Sequence, residues 1–312
     1  MAYLGYIFLS SLIWILHLLP DLLFYQISNL FFVITYYLVG YRRKVVMENL
    51  QKAFPDLDRR ERRKIARKYY QHMCDLILES AACHFYPETR ARRVMEYLNP
   101  EVLDDLYKKG KMIMAVTGHY GNWEYLNTLS LATSYPYLAI YKPLKNKYFD
   151  RMTRQTREKW GCIPVDMEKV ARHVMTYAKR KEPVLTLFLA DQRPLFRQIQ
   201  YWTDFMGQTT PLYLGTEKLA RKLDAAVVFL KIRKPRRGHY TTEVEVITEH
   251  PRTLEAYELT RAHVRILEGM IRERPELWLW SHRRWKHSYE RYERERLGKT
   301  ALSDPGAGST PS

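Results

Sequence analysis

Cysteine is scarce: Cys74, Cys83 and Cys162 are the only three among 312 residues. They form no C-x-x-C pair and no cluster with metal-ligand spacing, so the sequence offers neither a disulfide framework nor a metal motif. A sparse, odd set fits a reducing compartment, and three small core residues is the plain reading of it. The usual signatures of nucleotide, zinc and serine chemistry are also missing. There is no G-x-G-x-x-G, no Walker loop, no H-E-x-x-H and no G-x-S-x-G. No internal repeat is visible. Charge is absent from one end: residues 1–41 hold a single charged side chain, Asp21.

What is present is a basic body behind that uncharged end. The net charge is +17, which leaves +18 on the rest of the chain once Asp21 is set aside. An apolar end joined to a basic body suits a protein held at an anionic membrane surface. Acidic proteins and phosphorylated substrates are further partners for such charge. Nucleic acid is not expected, because the basic residues follow no nucleic-acid motif. A hydrophobic content of 46% is enough for a substantial core.

Leu4 to Leu19 and Leu22 to Tyr41 are each near the roughly 20 residues that span a bilayer, with Pro20-Asp21 between them. No positive n-region and no small-residue cleavage site mark a signal peptide. Arg42-Arg43-Lys44 follows directly and predicts a cytoplasmic body. Spanning helices and a bent hairpin lying in the interface both remain open, and a buried hairpin in a soluble core is the alternative. The expected organisation is an anchor over 1–41, a catalytic domain over 42–296 and a disordered tail over 297–312.

Tyr41 to Phe54 reads as a short basic helix. Ile65, Tyr69, Met73, Leu76, Ile77 and Ser80 recur at three- and four-residue steps, which predicts a long amphipathic helix from Arg59 to Phe85, capped by Asp58. From Lys111 onward, short β-like runs alternate with helical ones. The runs are Lys111 to Thr117, Tyr137 to Tyr141, Cys162 to Val165, Pro183 to Ala190, Ala225 to Ile232 and Tyr240 to Ile247. Helical stretches start near Trp123, Asn146, Glu168, Leu212 and Leu254. The pattern predicts an α/β fold with a mostly parallel central sheet flanked by helices. Sites in such sheets lie at the carboxyl ends of strands, and His119 and Asp191 each follow one.

An imidazole with an acid five residues on occurs three times: His119 with Glu124, His250 with Glu255, and His263 with Glu268. With ten histidines and 34 acidic residues in 312, about one such pair arises by chance. On a helix, as expected for the third pair, five steps point the two side chains apart. His250 precedes a proline and lacks flanking glycines. His119 alone sits in a glycine-flanked turn, Gly118-His119-Tyr120-Gly121, directly after an apolar strand. A neutral imidazole there can take a proton from an attacking hydroxyl while Glu124 orients it. No serine or cysteine stands beside the pair in sequence, so the hydroxyl is expected from substrate. The bland alternative is a capped turn in which Asn122 starts a helix and His119 bonds backbone.

Gly118-His119-Tyr120-Gly121-Asn122-Trp123-Glu124 resembles the active-site block of the bacterial late lipid A acyltransferases, the HtrB/MsbB group of lysophospholipid-type acyltransferases. Further blocks resemble the family in its order. They are Tyr41-Arg42-Arg43-Lys44 with Glu48-Asn49-Leu50, Tyr141-Lys142-Pro143 with Asn146, Ala190-Asp191-Gln192, Phe205-Met206-Gly207, and Pro275 to Lys286. The resemblance implies an inner-membrane enzyme, its catalytic domain facing the cytoplasm, that moves a fatty acyl chain from acyl carrier protein to a hydroxyl of a lipid A precursor. It implies His119 as base and Glu124 as its partner, with no metal and no bound organic cofactor. Asn122, Lys142, Asp191, Arg193, His282, Arg283 and Arg284 are the candidate substrate-binding residues. Asp191 has a second reading, as a residue that orders its loop, and the arginines another, as partners in ion pairs. Lys142 stands where relatives often have arginine, and Gln192-Arg193 where they often have a second acid. Acylation of another amphiphile, an aminolipid or glycolipid, is the nearest alternative. A non-catalytic membrane protein binding anionic lipid or nucleic acid is the alternative of another class.

Overall fold

The computed structural model describes residues 2–302. Two apolar helices come first, α1 (Ala2–Leu18) and α2 (Asp21–Val33), separated by Pro20. Proline has no N–H to donate and disfavours helix in the residue before it, so the chain breaks at Leu19. It restarts at Asp21, whose charge suits a first turn. A π-helical segment, Ile34–Val39, extends α2, and Gly40 at φ +63° ends it. The short basic helix α3 spans Arg43–Ala53. The long helix α4 (Arg59–Cys83) opens with a capping box. Asp58 accepts from the Glu61 N–H at 2.7 Å, and the Glu61 carboxylate accepts from the Asp58 N–H at 2.8 Å. Tyr69, Met73 and Leu76 are buried as the periodicity predicts, whereas Ile77 turns outward, 46% exposed. Helices α1, α2 and α3 all pack against α4.

After α5 (Glu88–Val94), β1 (Met95–Tyr97) and α6 (Glu101–Lys108), the predicted alternation begins with β2 (Ile113–Thr117). A 3-10 segment, Trp123–Leu131, replaces the helix expected from Trp123. Then follow β3 (Tyr137–Tyr141), α7 (Lys147–Lys159), β4 (Cys162–Asp166), α8 (Val170–Arg180) and β5 (Leu185–Leu189). An antiparallel ribbon, β6 (Tyr201–Phe205) and β7 (Gln208–Leu212), stands where the sequence suggests only a loop. Its turn is Met206-Gly207, both at positive φ. The chain ends with α9 (Gly215–Leu223), β8 (Ala226–Arg236), β9 (His239–Thr248), α10 (Glu258–Glu273) and α11 (Tyr289–Leu302). Helix α11 therefore occupies the first part of the expected tail, and 303–312 lie outside the described residues.

The main sheet has seven strands in the order β1-β9-β8-β2-β5-β3-β4, parallel except for the β8–β9 pair. The fold class expected from the sequence is the one found. Strand β2 lies between β5 and β8 and is buried at every residue, which its unbroken apolar run requires. Helices α9 and α10 pack on it.

The turn after β2 is held close to the body by Gly121, at φ +61°, where an added Cβ would meet Ile232 Cγ2 at 2.7 Å. Gly110 has a similar φ of +67° but open space around it. Gly110→Ala isolates the backbone cost, about 1 kcal/mol. Gly121→Ala adds the collision and is expected to lose about 1–3 kcal/mol more, read by urea unfolding of the two variants in detergent.

Candidate active site

The register of β2 on β5 sets the site. Thr117 lies opposite Leu189, and the Ala190 N–H donates to the Thr117 carbonyl at 3.0 Å. Two residues further along each strand, His119 and Asp191 leave the sheet side by side. The His119 N–H donates to Asp191 Oδ2 at 2.9 Å, and its imidazole Nδ1 donates to Oδ1 at 2.6 Å. Trp278 Nε1–H supplies a third bond, to Oδ2 at 2.8 Å. A Cβ at Gly118 would sit 3.2 Å from Asp191 Oδ2 and 2.7 Å from Leu267 Cδ1, so glycine permits this approach. Trp278 arrives on a short extended stretch that zips onto the turn. The Gly121 N–H donates to the Leu277 carbonyl at 3.0 Å, and the Leu279 N–H to the His119 carbonyl at 3.1 Å.

Burial opposes ionisation of Asp191. The charge of His119, its two hydrogen bonds and that of Trp278 outweigh burial and hold the carboxyl down at about 2. Burial likewise lowers the His119 imidazole, but the Asp191 charge and hydrogen bond, with a smaller contribution from Glu124, carry it above its ordinary value. With Nδ1 committed to Asp191, Nε2 presents its lone pair. The Gln192 Nε2 amide lies 3.0 Å from it and donates. The ring stands edge-on to Trp123, centroids 5.0 Å apart.

Beside the imidazole lies a cleft of about 600 Å³. Glu124, Lys142 and Arg157 give it charge, and Ile140, Leu144, Phe149, Met152 and Leu189 give it apolar wall. Cys83 also lines it, but burial pushes that thiol up to about 12, which leaves it protonated and a poor nucleophile. No serine, threonine or cysteine is bonded to the His119 ring among the described residues.

The structure redistributes the residues singled out from sequence. Glu124 lines the cleft, but its carboxylate turns to Arg157 Nη2, 3.4 Å away, and to Asn127. The hydrogen bond on Nδ1 that the sequence assigned to Glu124 is made by Asp191. Asp191 faces His119 and Trp278 rather than substrate space. Asn122 is fully buried and donates to Glu79 at 2.9 Å. Arg284 is fully buried, donates to the Pro211 carbonyl at 2.9 Å and stacks over Phe205. Burial lowers its guanidinium to about 10. Lys142 is exposed at the cleft and Arg283 is exposed on the surface. Arg193 reaches His287 Nε2 at 2.9 Å. His282 is half-buried, and burial together with Arg284 lowers it to about 4. Gln192, Arg157 and Trp278 were not anticipated as site residues.

A mostly parallel sheet with an imidazole–carboxylate pair at its mouth, opening on a largely apolar cleft behind two apolar helices, places the chain among α/β enzymes that act on lipids. Residues 1–287 match the family described as bacterial lipid A biosynthesis acyltransferases, and the chain belongs to that family. It is an O-acyltransferase, which sets aside the non-catalytic reading. It is similar to the lipid A biosynthesis lauroyltransferase of Escherichia coli (strain K12), 26% identical over 251 residues, 78% of this chain and 79% of the relative. It is also similar to the palmitoleoyltransferase of the same strain, 25% identical over 254 residues, 78% of this chain and 79% of the relative. A lipid A biosynthesis acyltransferase of Haemophilus influenzae is 22% identical over 252 residues, 80% of this chain and 79% of the relative.

Asp191→Asn removes the charge that raises the imidazole. If neutral His119 is the active form, the acid limb of the rate profile lies above the ordinary histidine value of about 6.5 in the wild type. It is expected to move to lower pH in the variant, while the plateau rate falls about 10²–10⁴-fold. A pH series of initial rates reads both effects.

Proposed function

We propose that this enzyme transfers a fatty acyl chain from the thioester of acyl carrier protein to a hydroxyl of a lipid A precursor, at the cytoplasmic face of the inner membrane. The observation that carries the reading is the committed tautomer of His119. Asp191 holds the Nδ1 proton, so Nε2 is the basic atom, and it borders an apolar cleft with no activated protein nucleophile beside it. An imidazole so arranged deprotonates a substrate hydroxyl directly.

In this reading the acceptor hydroxyl displaces the Gln192 amide from Nε2. Nε2 takes the hydroxyl proton as the oxygen attacks the thioester carbonyl, forming a C–O bond. Asp191 stabilises the imidazolium that results. Collapse of the tetrahedral intermediate breaks the C–S bond, and the imidazolium returns its proton to the departing thiolate. The products are an ester and a free thiol, and the enzyme is unchanged. Lys142 and Arg157 supply positive charge in the cleft for the developing oxyanion or for anionic groups of the acceptor. Glu124 positions Arg157 rather than the imidazole. The basic surface suits the acidic carrier and the acceptor's phosphates.

Arg193 is the observation behind a second acceptor class. It places a cation near the site where relatives often carry an acid, which suits a more acidic headgroup. The acceptor is tested by mass spectrometry of whole-cell lipids with and without the gene. Loss of one acyl chain from lipid A supports the reading. Unchanged lipid A with a deficit in another lipid reassigns the acceptor.

The roles of the two acids separate by kinetics. His119→Ala is expected to lose at least 10²–10⁴-fold in kcat with the protein folded. Glu124→Gln also lowers activity, through Arg157, but moves the acid limb much less than Asp191→Asn does. A limb that follows Glu124 and ignores Asp191 would return the orienting role to Glu124.

A further inference from the structure

Helix α2 with its π-helical extension, Asp21–Val39, is long and apolar enough to cross a bilayer by length and composition. Its packing argues against that path. Its inner stripe is buried at Phe24, Ser28, Phe32 and Thr35, and polar contacts from Tyr25, Ser28 and Asn29 bind it to the body. Tyr25 donates to Glu79 at 2.9 Å and Ser28 to Asp75 at 2.7 Å. Arg237, from the β8–β9 hairpin, donates to Asn29 at 2.9 Å and grips Asp75 as well. Lys234 stands 3.5 Å from the same carboxylate. If α2 crossed a membrane, this cluster of acids and bases would be carried into hydrocarbon with it, at a cost that bilayers seldom allow. The opposite stripe carries Leu22, Leu30 and Leu38, 73%, 61% and 77% exposed, and the exposed triad Arg42-Arg43-Lys44 follows. An apolar outer face with cations at its end is the pattern of a helix that lies in the interface of an anionic leaflet.

Helix α1 is laid on the body in the same way, and it crosses the walls of the cleft. Its inner stripe includes Ile13 and Leu16, while Leu4, Phe8, Leu12 and Ile15 face outward. Its C-terminal end is fastened: the His17 carbonyl accepts from Arg90 at 2.7 Å, and the His17 ring meets Phe85 at 5.5 Å just beyond α4. Among the described residues, rings hold its first turns on α7. Tyr6 stacks on Tyr148 at 5.6 Å and meets Phe149 edge-on at 5.7 Å. Phe149 also lines the catalytic cleft. One side chain therefore separates the outward-facing helix from the site. The surface beside this seam carries exposed Lys142, Lys145 and Lys147 around Leu144.

We propose that α1 and α2 lie flat in a single leaflet and that the seam between the start of α1 and the start of α7 is a lateral door. Through it the acyl chains of a lipid acceptor slide from the leaflet into the cleft, while the lysines around Leu144 hold its anionic headgroup at the rim. The door rests on the reading of the enzyme as a lipid acyltransferase; the lie of the helices does not. A hinge at the well-fastened end of α1 and a loosely stacked end at the cleft give the door its direction of opening.

The test joins Tyr6→Cys and Tyr148→Cys with a reducible bis-thiosulfonate in the full chain. Cys74, Cys83 and Cys162 are buried, and the unsubstituted chain given the same reagent must keep both rates, which shows that Cys83 in the cleft does not carry the effect. Transfer is measured to an acceptor embedded in phosphatidylethanolamine–phosphatidylglycerol vesicles and to a short-chain, water-soluble analogue. Closing the seam is expected to slow the vesicle reaction at least tenfold, change the soluble reaction less than twofold, and be reversed by reductant. An unchanged vesicle rate overturns the door, and so does equal loss of both reactions. If the unlinked pair transfers acyl groups to neither acceptor, the acyl-transfer reading fails instead. The lie of the helices is then decided without catalysis. Single cysteines at Leu22, Leu30 and Leu38 carry an environment-sensitive fluorophore quenched by lipids brominated at shallow or deep positions. Equal shallow depth is expected at the three sites, and a depth that runs from one headgroup region through the midplane overturns the proposal.

Discussion

The carboxylate of Asp191 is the junction on which the site depends. It is almost fully buried, and it stays ionised because three donors, two from His119 and one from Trp278, converge on it. A buried charge deprived of a partner costs about 3–5 kcal/mol. The ends of β2 and β5 and the stretch around Trp278 are thereby tied together by one group. The same tie sets the imidazole's tautomer, so stability and chemistry share a cause. Gly118 belongs to this arrangement through its lack of a side chain, since the Leu267 methyls occupy the space a Cβ would need and the carboxylate crowds it further.

A second buried acid organises the far side of the turn. Glu79 accepts from Tyr25, Asn122 and Tyr240, and so joins α2, the residue before the 3-10 segment, and β9. His72, one turn and more earlier on α4, bonds the Gly121 carbonyl and sits beside Lys234. Burial above all, and then Lys234, keeps this imidazole well below its ordinary value, so it remains neutral in the core. The turn that carries His119 is gripped on one side by Asp191 and on the other by α4. The apolar N-terminal hairpin is part of that grip, not an appendage.

Much of this was legible in the sequence, for identifiable reasons. The strands from β2 to β5, and β8 and β9, announce themselves because buried strands need continuous apolar runs. Asp58 and Glu61 announce the start of α4 because a capping box is local. His119 was distinguished by its glycines and by its place after a strand. The hydrogen-bond partner of its ring, Asp191, was not distinguished in the same way. Glu124 was favoured because it is near in sequence, whereas the partner of a sheet-mouth residue comes from the adjacent strand. Asp191 stood in view at a strand end. Only the adjacency and register of β2 and β5, which no local pattern carries, bring it level with His119. Arg284 and Asn122 misled for a related reason: a polar residue within a motif can serve the core, and burial is not written in its neighbours. The ribbon β6–β7 escaped because its strands are short and its turn uses Met206-Gly207 rather than a common hairpin pair.

The zipper between the turn and residues 277–279 has a bearing on synthesis. The strands that carry His119 and Asp191 leave the ribosome well before Trp278 does. Until that indole arrives, Asp191 lacks its third donor and the turn lacks its backbone partners at Leu277 and Leu279. The two apolar helices α1 and α2 precede both strands in the chain. The pair is thus synthesised before the stretch around Trp278 that completes its setting.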